Sequence, residues 1–191
     1  MAFTAFHDQR MIASGALSDV AQAVEVAAGP SPSGVLIFDD ATGRPVDIDL
    51  RSGADAAVAA HETKTLGPAP EPARSGPGRP RLGVVAREVT LLPRHWKWLS
   101  TQRGGASAAL RRLVEEAQRA GAPADRARMA QQALHGVLTV LAGDLPGYEE
   151  ALRALYARDD DRFDALAGAW PADIAAYVSR LAEAERSARA S

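Results

Sequence analysis

The chain of 191 residues contains no cysteine. That absence excludes disulfide bonds, thiolate catalysis and zinc sites built on cysteine ligands. Aromatic residues make up only 5% of the chain, and much of its 47% hydrophobic content is alanine, which favours helix but buries little area per residue. We therefore expect two or three small folded units and not one large core.

Long apolar runs and catalytic motifs are also missing. No run approaches the roughly 20 apolar residues that a membrane-spanning helix requires, and MAFTAFHDQR lacks the pattern of a secretion signal. The four histidines are scattered, and the sequence holds no Walker loop, dinucleotide fingerprint or nucleophile motif. We expect a cytoplasmic protein with no membrane partner that is not an enzyme. It should have no catalytic residues, no metal site and no cofactor.

Charge is distributed unevenly along the chain. Between residues 74 and 112, nine basic residues stand against one acidic residue, Glu88, which gives this stretch a formal charge of +8. Because the whole chain carries −2, the remainder carries −10. Such a separation can attract a polyanion to one face, or it can let the basic stretch bind the acidic parts of the same protein.

Residues 1–51 are predicted to form a small ββαββ unit. Two short alternating segments precede ALSDVAQAVEVAAG, whose apolar residues recur at helical spacing. In GVLIFDDATGRPVDIDL, two β-rich runs flank Asp40-Ala41-Thr42-Gly43, which predicts a hairpin with a glycine free to take a positive φ. Asp47 and Asp49 alternate with apolar residues, which is typical of a solvated strand and not of a metal site.

Residues 52–82 are predicted to be a flexible basic tether. They contain five of the twelve prolines and show no apolar periodicity, although residues 53–61 are compatible with a turn or two of helix. Within them, GPGRPR resembles the core of an AT-hook, in which prolines keep the chain extended and two arginines enter a narrow A·T minor groove. The resemblance implies that Arg79 and Arg81 contact DNA, and the alternative is a plain linker.

Residues 83–121 are predicted to form a strand followed by two helices. In EVTLL, Val89 and Leu91 share one face of the strand. Pro93 suits the first turn of the first helix, in which Trp96 and Leu99 form the buried stripe.

A second helix is predicted after RGG, with Ser107 as its N-cap. Trp98 lies two residues from Trp96 and therefore points elsewhere, so we assign it to a subunit or domain contact. Stacking of a tryptophan on a nucleic-acid base is the alternative.

The segment VTLLPRHWKWLSTQRGGASAALRRLVEEA resembles a ribbon-helix-helix module. Such modules are dimers whose strands pair into an antiparallel ribbon in the DNA major groove, while the second helix offers its N-terminus to phosphate. The resemblance implies a homodimer through the Val89–Leu92 strand, with Glu88, Thr90 and Leu92 facing the bases. Ribbons of this class usually present Arg, Lys, Asn, Gln or Thr, so an acid and a leucine indicate low or shape-based specificity. The residues assigned to DNA are Arg79, Arg81, Arg87, Thr90, Arg94, Lys97, Ser107, Arg111 and Arg112.

Residues 122–191 are predicted to be a helical region, which is also the predicted surface for any protein partner. ADRARMAQQALHGVLTVLAG places an apolar stripe on its helix through Met129, Ala133, Val137 and Val140. Trp170 is predicted to anchor the core.

Three segments spread over the chain carry a wider resemblance: IFDDATGRPVDIDL, RPRLGVVAREVTLLPRHWKWL and AGDLPGYEEALRALYARDDDRFDALAGAWPADI. They are similar to the bacterial family called domain of unknown function 2239. This resemblance implies a bacterial setting and no mechanism.

The expected fold class is α+β, with a small N-terminal ββαββ unit, a ribbon-helix-helix-like strand-helix-helix module and a C-terminal α-helical region. The expected function is that of a DNA-binding homodimeric regulator of transcription, or an antitoxin-like protein. The alternative is a non-enzymatic interaction module that pairs chains without binding DNA. A further option is ligand sensing by the N-terminal unit, for which the sequence names no pocket residues.

Overall fold

A computed structural model of the chain describes residues 2–30, 32–66 and 87–190. The chain divides into two compact units: the first joins Met1–Pro68 with Pro123–Ser191, and the second is Ala69–Ala122. Within the described ranges, no helix is long and apolar enough to cross a membrane.

The N-terminal part has the predicted ββαββ order, so the expected α+β class is confirmed. Its elements are β1 (Phe3–His7), β2 (Arg10–Gly15), α1 (Leu17–Ala28), β3 (Val35–Asp39) and β4 (Arg44–Pro45). The strands form one antiparallel sheet in the order β2-β1-β3-β4. Six further α-helices follow within the described chain: α2 (Ala54–Leu66), α3 (Pro93–Ser100), α4 (Gly105–Leu141), α5 (Tyr148–Ala157), α6 (Asp160–Ala167) and α7 (Ala172–Ala190).

Both faces of the sheet are covered by helices. Side chains alternate along β1, so Phe3 and Ala5 face α1 and α2, while Phe6 faces the C-terminal helices. The first core also contains Leu17, Val20, Ala21, Val24, Ile37 and Leu50. The second core joins Phe6 and Phe38 to helical residues that include Leu134, Leu138, Trp170, Ile174, Tyr177 and Val178. Residues 1–51 and 122–191, which the sequence divided into separate regions, therefore share a core.

The first part of the predicted tether, residues 52–82, is helical, because α2 occupies Ala54–Leu66. The Glu25 carboxylate accepts a hydrogen bond from the Ala54 amide at 3.1 Å and holds the start of this helix against α1. Ala54 and Ala57 are buried at that contact. The rest of the tether, including Arg79 and Arg81, lies outside the described residues.

The second strand of the predicted hairpin is shorter than expected. Gly43 has the positive φ expected of the turn, 65°, but β4 ends at Pro45. The chain then turns into a single turn of 3-10 helix, Leu50–Ser52, where Asp49 accepts a hydrogen bond from the Arg51 amide at 3.1 Å. Asp47 and Asp49 thus do not belong to a regular strand.

Helix α4 is continuous where the sequence predicted a division near residue 121, although Pro123 lies within it. Its predicted apolar stripe is only half correct. Met129 and Val140 are exposed, whereas Leu134 and Leu138 are buried in the second core. The face of α4 that packs in the second core is therefore the one that carries Leu134 and Leu138, and not the one that carries Met129 and Val140.

The turn between β3 and β4 contacts α4 backbone to backbone. A Cβ added to Gly43 would stand 1.9 Å from the carbonyl oxygen of Ala133, and one added to Gly136 would stand 2.8 Å from the carbonyl oxygen of Gly43. Neither space admits a side chain. Glycine at both positions lets the N-terminal hairpin lie directly on the helix.

We expect Gly43→Ala to destabilise the protein well beyond the cost of its backbone conformation. The matched control is Gly53→Ala, because Gly53 also has a positive φ, 91°, but nothing lies within 4 Å of its added Cβ. The control should cost about 1–2 kcal/mol of unfolding free energy, and Gly43→Ala about 3 kcal/mol or more, since it adds a clash with helix backbone. Urea denaturation followed by circular dichroism measures both. Equal losses for the two variants would contradict the backbone contact.

Candidate functional site

The described part of the second unit contains residues 87–122. Arg87–Leu92 have no regular secondary structure, so the predicted strand is not formed in a single chain. A strand requires a neighbour to pair its backbone groups, and the described chain supplies none here. The homodimer that would supply one stays a prediction.

The two predicted helices are present, with one correction at their junction. α3 begins at Pro93 as expected and ends at Ser100, and Gly104 at positive φ directly precedes the first residue of α4, Gly105. Ser107 is not an N-cap, because α4 begins at Gly105. Ser107 lies in the first turn, where its carbonyl oxygen accepts a hydrogen bond from Arg111 Nε at 3.3 Å.

The residues assigned to DNA are exposed wherever the structure describes them: Arg87, Thr90, Arg94, Lys97, Ser107, Arg111 and Arg112. In the described part of this unit, the basic residues, which also include Arg103, form no ion pair. Their charges are therefore available to an external anion.

Large apolar side chains are exposed in the same stretch. Of ten such residues in the described chain, six lie between residues 89 and 114: Val89, Leu92, Trp96, Trp98, Leu113 and Val114. The predicted burial of Trp96 is wrong for the single chain, since its side chain is 43% exposed, whereas Leu99 is buried as expected. Exposed apolar residues concentrated in one small segment are typical of a contact surface.

A cluster of polar side chains in the first unit was not predicted as a site. Asp40, at the end of β3, accepts hydrogen bonds from Thr4 Oγ1 and Tyr177 OH, each at 2.9 Å on Oδ1. Arg180 Nη2 donates to Asp40 Oδ2 at 2.9 Å and to Thr4 Oγ1 at 2.8 Å, and Arg180 Nη1 donates to Ser14 Oγ at 3.0 Å. We call Thr4, Ser14, Asp40, Tyr177 and Arg180 the sheet-helix network.

The sheet-helix network is satisfied internally and connects β1 to α7. Burial, and after it the charge of Asp40, raises the pKa of the Tyr177 phenol, so the hydroxyl keeps its proton and donates a hydrogen bond to Asp40. Thr4 is fully buried between the apolar residues Phe3 and Ala5 of β1, which is the one sequence signal that marks this position. Because every member has a partner, the network holds the fold together and offers no reactive group.

No group of three or more His, Asp or Glu side chains is placed to hold a metal ion in the described ranges. Asp40 is engaged in the sheet-helix network, and Asp49 pairs with Arg51 at 2.6 Å. His135 is half-buried and contacts Tyr156, with 2.7 Å between His135 Nδ1 and the phenol oxygen.

Comparison with known proteins gives one match. The family model described as "Uncharacterized protein conserved in bacteria (DUF2239)" matches residues 2–182. No curated protein and no solved structure matches the chain.

We expect Tyr177→Phe to lower the free energy of unfolding by about 1–2 kcal/mol, because Asp40 loses a buried donor. The control Tyr156→Phe removes a phenol whose hydrogen bond to His135 is exposed, and it should cost less than about 0.5 kcal/mol because water replaces that bond. The pKa of Tyr177 is raised in the folded state, so the unfolded chain releases this proton first, and the contribution falls as pH rises above about 10. Urea titrations across that range should therefore show a steeper loss for the parent than for Tyr177→Phe. If the free energy of unfolding fell equally with pH in the parent protein and in Tyr177→Phe, this would contradict a buried Tyr177 phenol that keeps its proton.

Proposed function

The chain belongs to the bacterial family DUF2239, and on this premise we propose that it is a cytoplasmic DNA-binding homodimer. It would act as a regulator of transcription or as an antitoxin-like protein with low or shape-based sequence specificity. One observation carries the proposal: unpaired basic residues and exposed large apolar residues are concentrated together between residues 87 and 114.

The apolar residues support dimerisation. Leu99 and Ala109 are the buried apolar side chains of the described second unit, whereas six large apolar side chains are exposed. A second copy would bury these side chains and would pair the backbone of Val89–Leu92 in an antiparallel ribbon. The burial of several such side chains would contribute about 1.5 kcal/mol or more each.

The basic residues support binding to DNA. Arg94 and Lys97 lie on α3, and Arg111 and Arg112 lie in the first turns of α4. The positive end of the α4 dipole adds to this field, and helix N-termini of this kind bind phosphate groups. Arg79 and Arg81 of the AT-hook-like segment would add minor-groove contacts.

The residues that would face the bases from the predicted ribbon limit how well it can recognise a DNA sequence. Glu88 and Leu92 are exposed beside Thr90. Near phosphates the carboxylate is repelled, and leucine offers no hydrogen bond to a base. Contacts to the DNA backbone and recognition of groove shape therefore fit these residues better than direct recognition of the bases.

A second candidate function rests on the same two outward residues. If Glu88 and Leu92 keep the ribbon away from DNA, the module only pairs chains, and the protein is an interaction module. Met129, Val140 and Tyr156 on the helices of the first unit are also exposed and would serve a protein partner.

We expect the protein to be a dimer and Thr90→Pro to convert it to a monomer, because proline removes a backbone donor from the ribbon. Thr90→Ala is the matched control, since it shortens the side chain but retains the amide, and it should remain a dimer. Light scattering at several protein concentrations measures both. A monomeric parent protein would exclude the dimer, and a dimer unaffected by Thr90→Pro would place the interface elsewhere.

We expect affinity for duplex DNA to fall steeply as salt rises, because each neutralised phosphate releases condensed counterions. The double variant Arg94→Ala, Lys97→Ala should reduce the slope of log affinity against log salt by about 2 if both contact phosphate. The control, Arg128→Ala with Arg153→Ala, removes the same charge from exposed ion pairs in the first unit. Fluorescence anisotropy measures the slopes.

The same assay tests the AT-hook-like segment. Arg79→Ala with Arg81→Ala should weaken binding to A·T-rich duplexes more than to G·C-rich ones. If the parent protein binds neither duplex at low salt, the DNA-binding proposal fails and the interaction module becomes the better account.

A further inference from the structure

The outer edge of β3 is paired over only part of its length. β4 pairs with Phe38 and Asp39, and the Val46 amide donates to the Ile37 carbonyl at 2.7 Å. In the described chain no hydrogen bond joins Val35 to residues 46–52. The edge is therefore open at Val35.

The backbone groups of Val35 point to this open edge and not to β1. The Asp8 amide donates to the Gly34 carbonyl, and the Asp40 amide donates to the Ala2 carbonyl, so the even-numbered residues of this strand bond toward β1. In an antiparallel sheet the intervening residues direct their N–H and C=O groups to the opposite edge. Val35 thus presents one donor and one acceptor to the space beside β3.

That space is a groove lined by both polar and apolar residues. After Pro45 the chain diverges from β3, and a cavity of about 430 Å³ lies between them. This volume is within the range of about 300–1,000 Å³ that is typical of ligand sites. The apolar lining comes from Val24, Val35, Ile37, Val46, Ile48 and Leu50.

Asp49 forms a local ion pair on the far wall of the groove. Its carboxylate accepts hydrogen bonds from the Arg51 side chain at 2.9 and 2.6 Å, and these bonds lower the pKa of Asp49 to about 2. Leu50 anchors this wall in the first core. The opposite edge of the sheet differs, because there Asp173 accepts a hydrogen bond from the Met11 amide at 2.9 Å.

The rim of the groove carries an uncompensated negative charge. Arg51 offsets Asp49, but Asp47 is exposed and forms no ion pair within the described part of the chain. A basic side chain above this rim would be attracted to it.

We propose that this groove binds an extended peptide segment with a basic side chain, which adds to β3 as a further strand. The peptide backbone would exchange hydrogen bonds with Val35, an apolar side chain would cover the half-buried Val46 and Ile48, and a lysine or arginine would face Asp47. Alternating donors and acceptors on an extended backbone are the groups that an open strand edge recognises. This site lies in the first unit and is independent of the proposed binding of DNA.

The experiment uses the full chain and a fluorescein-labelled five-residue peptide of alternating lysine and valine with blocked ends. Fluorescence anisotropy should show saturable binding of this peptide. An otherwise identical peptide N-methylated at its backbone amides should bind at least about tenfold more weakly, because it lacks the donors for the strand edge. A glutamate-valine peptide should also bind more weakly, because the rim would repel it.

Two variants locate the site. Asp47→Lys should weaken binding of the lysine-valine peptide several-fold, whereas Asp144→Lys, which reverses an exposed charge in a loop of the same unit, should not. Val35→Pro removes the N–H at the open edge and leaves the bonds to β1, so it should abolish binding while the circular dichroism spectrum is retained. The proposal is overturned if the lysine-valine peptide does not bind. It is also overturned if the methylated peptide binds as tightly as the unmethylated one and Asp47→Lys binds the lysine-valine peptide as tightly as the parent protein does. If Val35→Pro does not fold, the methylated peptide and Asp47→Lys still decide it.

Discussion

The central strand β1 is buried on both faces, and the helices that cover it come from opposite ends of the sequence. Phe3 and Ala5 require α1 and α2, while Phe6 requires α4 and α7. A sheet of four short strands cannot leave either apolar face in water, so α1 and α2 alone would not complete the fold. The first unit is therefore closed by residues more than a hundred positions away in the chain, as the Arg180–Asp40 ion pair illustrates.

The low aromatic content of the chain is matched by close backbone contacts and by polar anchors. Gly43 lies against the backbone of Ala133 and Gly136, so the hairpin and α4 approach more closely than side chains would permit. Tyr177 is one of five aromatic residues buried in the second core; its ring centroid lies 5.4 Å from that of Phe6, and its hydroxyl donates a hydrogen bond to Asp40. Close packing through small residues and a network of satisfied hydrogen bonds thus stabilise this fold, as larger side chains do in cores that contain more of them.

The second unit has the opposite distribution of apolar side chains. Trp96, Trp98 and Leu113 are exposed there, although side chains of this size are usually packed. The same short stretch carries unpaired positive charges. These two properties together favour an assembly in which a second copy covers the apolar residues and an anion occupies the basic ones. The groove beside β3 is chemically different, because its rim is acidic and its open hydrogen-bonding groups belong to the backbone.

Local pattern was sufficient to predict the order ββαββ, the helix through Leu17 and Val24, the turn at Gly43 and the start of α3 at Pro93, because these depend on spacing, glycine and proline. It assigned the basic residues of the second unit and Trp98 to a surface but placed Trp96 in a buried stripe, and whether a second copy or DNA covers that surface is not a property of one chain. The tertiary structure decided the shared core, the buried face of α4, the roles of Asp40 and Tyr177, and the groove at Val35. Each of these depends on contacts between residues distant in sequence, which periodicity along a single segment does not encode.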